Sequence, residues 1–156
     1  MKLSTKGRYA VTAMMDLVLH EGEVPVTLAE ISQSQGISLS YLEQLFARLR
    51  RAGLVSGVRG PGGGYRLARA AAEISVGAII EAVDDSLDVT RCRGRRESRV
   101  GDRCLTHDLW CEISCEIRGF LSGISLADLA ARPGVMEAAV RQDAGTRRRH
   151  PLTLHS

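Results

Sequence analysis

Long apolar runs are missing from this 156-residue chain, and so is a basic leader followed by an apolar stretch. A membrane-spanning helix and a secretion signal are therefore not expected, and cytoplasm is the default compartment. Aromatic residues are sparse: Trp110, three tyrosines and two phenylalanines, too few for a platform that stacks single-stranded bases. Neither sign of charge dominates, since 21 basic and 18 acidic side chains leave +3. That total says little about partners, but Arg48, Arg50, Arg51, Arg59, Arg66 and Arg69 crowd one region, and such clustering is the footprint of a polyanion. Only four cysteines occur; without a secretion signal they point to metal or redox chemistry rather than a disulfide framework. The length suits one domain, or a small domain with an appendage.

What is present centres on residues 27–67. Thr27 suits the N-cap of a short helix carrying Leu28, Ala29 and Ile31, and Gly36 supplies the backbone freedom to end it. Ser38 or Ser40 then caps a second helix, with Glu43 in its first turn and Leu42, Leu45, Phe46 and Leu49 at spacings of three and four. Two helices around a glycine-bearing turn make a helix-turn-helix. Its remaining face carries Ser38, Ser40, Tyr41, Gln44, Arg48 and Arg51, donors and acceptors suited to base edges and phosphates in a major groove. Glu43 on the same helix repels phosphate and tolerates bases that offer a donor, such as cytosine N4. The competing role for Glu43 is stabilisation of the helix N-terminus.

Leu54–Val58 and Tyr65–Leu67 flank Arg59-Gly60-Pro61-Gly62-Gly63-Gly64, the pattern of a β-hairpin wing. Gly60 and Gly62 let the backbone come close to a partner, and Arg59 is long enough to enter an A·T-rich minor groove. A phosphate-cradling nucleotide loop would need a Lys-Ser/Thr pair and a following helix, and the sequence has neither here. Before this device, Tyr9, Ala10, Ala13, Met14, Leu17 and Val18 form the apolar stripe of a support helix, with Tyr9, Met14 and Met15 assigned to the core. Lys2, Lys6 and Arg8 sit where they could touch phosphate. After the wing, Glu73–Val83 reads as an amphipathic helix capped by Ser75.

Ser86–Arg103 is polar and arginine-rich, and is expected to be ordered only if something such as a metal ties it down. Cys92, Cys104 and His107 are candidate ligands, with Cys111 and Cys115 further on. Thiolate and imidazole together select zinc or an iron–sulfur cluster. A long helix beginning near Cys104 carries Leu105, Leu109, Ile113, Ile117, Phe120 and Leu121 on one stripe, too apolar to stand alone. Pairing with its copy in a second subunit would match the two-fold symmetry of helix-turn-helix operators; folding back on its own domain is the alternative.

These segments resemble the IscR family of iron–sulfur cluster regulators along nearly the whole ordered length. The matching stretches are MKLSTKGRYAVTAMMDL, ISLSYLEQLFARLR, VRGPGGGYRL, VDDSLDVTRC and DRCLTHDLW. The resemblance implies a homodimeric winged helix-turn-helix transcription factor that holds a [2Fe–2S] cluster, receives it from the iron–sulfur assembly machinery and controls the assembly genes. In the family three cysteines and one histidine hold the cluster; Cys92, Cys104 and His107 match three of those positions, and Ser98 stands at the fourth. Either Ser98 ligates through oxygen, Cys111 replaces it, or the site is lost.

The expected fold is mainly α with a small β-hairpin wing: a winged helix-turn-helix domain over residues 1–84, a ligand loop over 85–103, and a long dimerisation helix with a short following helix over 104–132. The short helix starts at Ser125 and ends at Pro133-Gly134, and residues 133–156, with three adjacent arginines, read as a disordered basic tail. Two other classes compete with a cluster-sensing regulator of double-stranded DNA. One is a cluster-free or zinc-stabilised DNA-binding protein. The other is a thiol oxidoreductase using Cys111 and Cys115, whose spacing is not that of a C-x-x-C redox motif.

Overall fold

Apolar residues recurring every three or four positions build most of the protein. Its computed structural model describes residues 5–20, 24–83 and 106–149. Helix α1 (Thr5–Leu19) buries Ala10, Ala13, Met14 and Leu17. Tyr9 departs from its expected core role: it stays 40% exposed, its ring set edge-on to Tyr41 at 5.7 Å. Asp16 interrupts the apolar run yet is only 3% exposed. It accepts hydrogen bonds from the Ser34 hydroxyl and, at 2.7 Å, from Gln35 Nε2, so a carboxyl that would be destabilising alone ties α1 to the next helix.

Helix α2 (Leu28–Gln35) opens with a reciprocal cap: the Glu30 amide donates to Thr27 Oγ1 at 3.2 Å, and the Thr27 amide donates to the Glu30 carboxylate at 2.8 Å. Gly36 closes it in the left-handed conformation at φ +68°, which a side chain would strain. Helix α3 (Leu39–Arg51) begins at Ser38, whose hydroxyl accepts from the Tyr41 amide at 3.3 Å. Of the two candidate caps the chain uses Ser38. The stripe of Leu42, Leu45, Phe46 and Leu49 is buried as its spacing requires.

Strands β1 (Val55–Val58) and β2 (Gly64–Leu67) pair antiparallel, Val55 opposite Leu67 and Val58 opposite Gly64. Val26, just before α2, bridges to Tyr65 through amide-to-carbonyl bonds of 3.1 and 2.7 Å. The Tyr65 ring packs against Phe46 at 4.9 Å, which ties the hairpin to α3. A single 3-10 turn (Ala71–Glu73) leads to α4 (Val76–Val83), whose N-terminus is capped by Ser75. Ile79, Ile80 and Val83 of α4 enter the core.

Helices α5 (His107–Ser122), α6 (Leu126–Ala130) and α7 (Pro133–Arg149) complete the described residues. Helix α5 starts at His107 rather than at Cys104, which lies outside the described residues, as do Cys92 and Ser98. Ser125 caps α6 with Asp128 in a reciprocal box, and Leu126 is fully buried in the same core as α1 and α3. Residues 133–149 are helical, not the disordered tail expected from 133 onward. Pro133 ends nothing here; it opens α7, where a missing amide hydrogen is harmless because first-turn amides have no intrahelical partner. Val135 then packs on the core, and Gln142 exchanges side-chain hydrogen bonds with Gln35 of α2 at 3.0 and 3.3 Å.

Candidate nucleic-acid interface and ligand segment

Once α3 has buried Leu42, Leu45, Phe46 and Leu49, its opposite side presents Ser38, Ser40, Glu43 and Gln44 to solvent, with Arg50 and Arg51 exposed in the last turn. The short side chains near the start and the cations near the end suit a helix whose first turns meet base edges and whose flank meets phosphate. Tyr41, expected on this surface, is half-buried and packed edge-on against Tyr9. Tyr9 is thus a supporting residue that the apolar periodicity of α1 concealed; its place in the stripe gave no signal of an aromatic partner.

Glu43 and Arg48 differ from the expectations in opposite ways. Because Ser38 is the cap, Tyr41 occupies the third helical position and Glu43 lies beyond the first turn, exposed. Stabilisation of the helix N-terminus, the competing role for Glu43, is thereby weakened, because the effect of the dipole falls off within the first turn. Arg48 is half-buried, and its Nη1 donates to the Val83 carbonyl at the end of α4 at 2.8 Å. It is turned into the protein and not toward the exposed face that carries Gln44.

The wing tip exposes Arg59, Gly60 and Gly62, with positive φ at both glycines (+96° and +73°) and a Gly63 amide to Gly60 carbonyl bond of 2.9 Å closing the turn. Arg66 and Arg69 lie exposed nearer its base. Arg50 and Arg51 at the end of α3, Arg59 at the wing tip, and Arg66 and Arg69 nearer the wing base are all exposed cations, while Glu43 is an exposed acid on α3 itself. A polyanion is favoured at that surface, with one position at which approach is penalised.

In the ligand segment, Thr106 precedes α5 and its hydroxyl accepts from Trp110 Nε1 at 2.8 Å, which steadies the turn in which His107 stands. Cys111 follows His107 by four residues, one helical turn, and is half-buried; Cys115, a further turn on, is exposed. No group of three or more His, Cys, Asp or Glu side chains gathers as a metal site among the described residues. Helix α5 rests on α4 along one edge, where Ser114 is buried. Leu109, Trp110 and Phe120 of α5 remain open, at 51%, 39% and 67% exposure. Among the described residues no helix is long and apolar enough to cross a membrane.

Comparison with known proteins agrees with this arrangement. Residues 3–132 match the model of a family, Rrf2, described as an iron-dependent transcriptional regulator. The chain is 60% identical over 148 residues to the HTH-type transcriptional regulator IscR of Serratia proteamaculans, spanning 95% of this chain and 90% of that protein. It superposes on the solved structure of T. potens IscR with a TM-score of 0.69 at 44% identity, covering 83% of this chain and 85% of the other. The structure of CymR, the global cysteine regulator of B. subtilis, gives a TM-score of 0.71 at 36% identity over 84% and 97% of the two chains.

Proposed function

Because this chain belongs to the Rrf2 family of iron-dependent transcriptional regulators, we propose that it acts in the cytoplasm as a homodimer that grips palindromic duplex DNA, controls iron–sulfur cluster assembly genes, and changes its site preference with occupancy of a [2Fe–2S] cluster. The observation that carries the DNA-reading part is the exposed face of α3, which presents Ser38, Ser40 and Gln44, with exposed arginines at the end of α3 and at the wing. Side chains on α3 read the major groove, Arg59 reaches the minor groove, and Gly60 and Gly62 let the wing backbone come close.

The donor set supports an iron–sulfur group. Cys92 and Cys104 offer thiolates and His107, at the start of α5, an imidazole; these soft and borderline donors suit iron–sulfur chemistry. For the fourth position the chain has the harder oxygen of Ser98 or the thiol of Cys111, one turn along α5. When bound, such a cluster supplies a centre whose presence follows iron–sulfur supply. The protein's part is to convert the anchoring of the segment before α5 into a change in how α5 meets its neighbours. The exposed apolar side chains Leu109, Trp110 and Phe120 make α5 a fitting surface for a second copy of the same helix.

The test measures iron, zinc and acid-labile sulfide per chain, together with binding to palindromic and random duplexes at fixed salt before and after metal removal. Iron and sulfide in equal proportion, lost in Cys92→Ala and His107→Ala variants, is the expected result. Zinc without sulfide would replace the cluster by a structural metal. A monomer with no preference for any palindrome would overturn the whole reading.

A further inference from the structure

Arg48 belongs by sequence to the reading helix and by structure to its support. Its Nη1 donates to the carbonyl of Val83, the last residue of α4, across 2.8 Å, and Val83 itself is fully buried. The last four carbonyls of a helix lack intrahelical amide partners and carry the negative end of its dipole, so a guanidinium is a suitable cap there. The bond joins the final turn of α3 to the final turn of α4.

The other end of α4 is held by the helices beyond it. The Val76 amide donates to the Ile124 carbonyl at 2.9 Å, and Ser75 bridges to Ser125. Along its length Gly77 lies so close to α5 that an added Cβ would fall 2.9 Å from Ser122 Oγ and 3.1 Å from the Ser122 amide nitrogen. Arg118 of α5 approaches Glu81 of α4 at 3.9 Å. Helix α4 therefore lies between α5, which runs beside it from Gly77 to Glu81 and continues into the turn held at its N-terminus, and α3, which Arg48 ties to its last residue, with α1 packed against it as well.

We propose that Arg48 is a positioning residue for DNA recognition and not a DNA contact: it clamps the reading helix to α4, so that displacement of α5 reaches α3 through α4. The inference rests on the DNA-reading function proposed above and adds the route by which α5 and the reading head communicate. A rigid element bonded at both ends moves as a body, and a side chain that links two such bodies sets how much of the motion is passed on.

The experiment uses the full-length chain and compares Arg48→Met, which keeps length and removes the donors, with Arg48→Lys, which restores a single cationic donor. Affinity for a palindromic duplex preferred by the wild type and for a random duplex is measured across salt concentrations. The expected result for Arg48→Met is a loss of specific affinity on the order of threefold to thirtyfold, with random-duplex binding and salt dependence unchanged, and partial recovery in Arg48→Lys. Gly77→Ala, near the N-terminus of α4, is expected to alter specificity in the wild type and to add little in the Arg48→Met background, although the two residues lie on different helices and at opposite ends of α4.

A uniform loss on both duplexes, with the salt slope reduced by about one, would make Arg48 a phosphate contact and overturn the inference. So would strict additivity of the Gly77 and Arg48 changes, or unaltered specific affinity in Arg48→Met; in these cases the regulator reading itself survives. A wild-type protein that prefers no duplex sequence defeats that reading and this inference together.

Discussion

Replacing Gly64 with alanine should loosen the wing from the helix-turn-helix, and the structure fixes the size of the effect. An alanine Cβ would stand 2.5 Å from the Val26 carbonyl oxygen, 2.7 Å from its carbon and 3.1 Å from the Thr27 nitrogen. All three are backbone atoms, so no side chain can swing aside, and the shortfall from ordinary contact is roughly an ångström. Strand β2 must move away from Val26, and the two hydrogen bonds that join Val26 to Tyr65 stretch with it. Overpacking of this kind costs about 1–3 kcal/mol, and each weakened backbone bond adds about 0.5–1.5 kcal/mol. The sum is about 2–6 kcal/mol, and with about 2–4 °C of melting temperature per kcal/mol for a chain of this size the expected fall is on the order of 4–24 °C. Gly62→Ala is the control: its Cβ meets nothing within 4 Å, so only the strained φ of +73° opposes it, at about 1–2 kcal/mol. Thermal unfolding followed by circular dichroism distinguishes the two. If Gly64→Ala melts within about a degree of the wild type, or proves milder than Gly62→Ala, the close approach of wing and α2 is not what the geometry requires.

Phe46→Ala should destabilise by about 3–5 kcal/mol in denaturant unfolding, because it empties a fully buried site and removes the ring on which Tyr65 rests. Asp128 should titrate below the ordinary aspartate range by NMR, held there first by the Ser125 backbone amide and then by the Ser125 side chain. Since its folded pKa is depressed, the α6 cap is intact above the usual carboxylate range and weakens as pH falls through the lowered value; Asp128→Asn should abolish that dependence. Glu43→Ala should raise affinity for weakly bound palindromes more than for the preferred one in a competitive duplex assay, since it removes the acid that penalises sites without a donor.

The local chemistry of residues 24–83 is legible because each boundary carries its own signal. Thr27 with Glu30, Gly36, Ser38 before α3, the glycine-rich turn and Ser75 all act within a few residues of themselves, and the structure uses each where its chemistry suggests. Residues 133–149 were misread for the converse reason. A proline after a short helix is equally a stop for α6 and the first residue of α7, and the local pattern does not reveal the distant partners of α7, the core on which Val135 packs and the Gln35 amide that meets Gln142. Asp16 has the same lesson: a carboxylate amid MMDLV announces that a partner must exist, but only the packing of α1 on α2 identifies Ser34 and Gln35.

The reading head divides along the same line. Periodicity separates the buried stripe of α3 from everything else, yet it does not say whether a residue off the stripe faces a partner molecule or a neighbouring helix. Ser40, Glu43 and Gln44 face solvent, whereas Tyr41 turns to Tyr9 and Arg48 to Val83. Both of the latter are long side chains whose far ends can reach an element that short ones cannot, so they are the ones that connect a reading helix to the rest of its domain. A recognition surface made only of outward-pointing groups could set which sequence is bound; the two that turn inward give α1 and α4 a means of adjusting how it is presented.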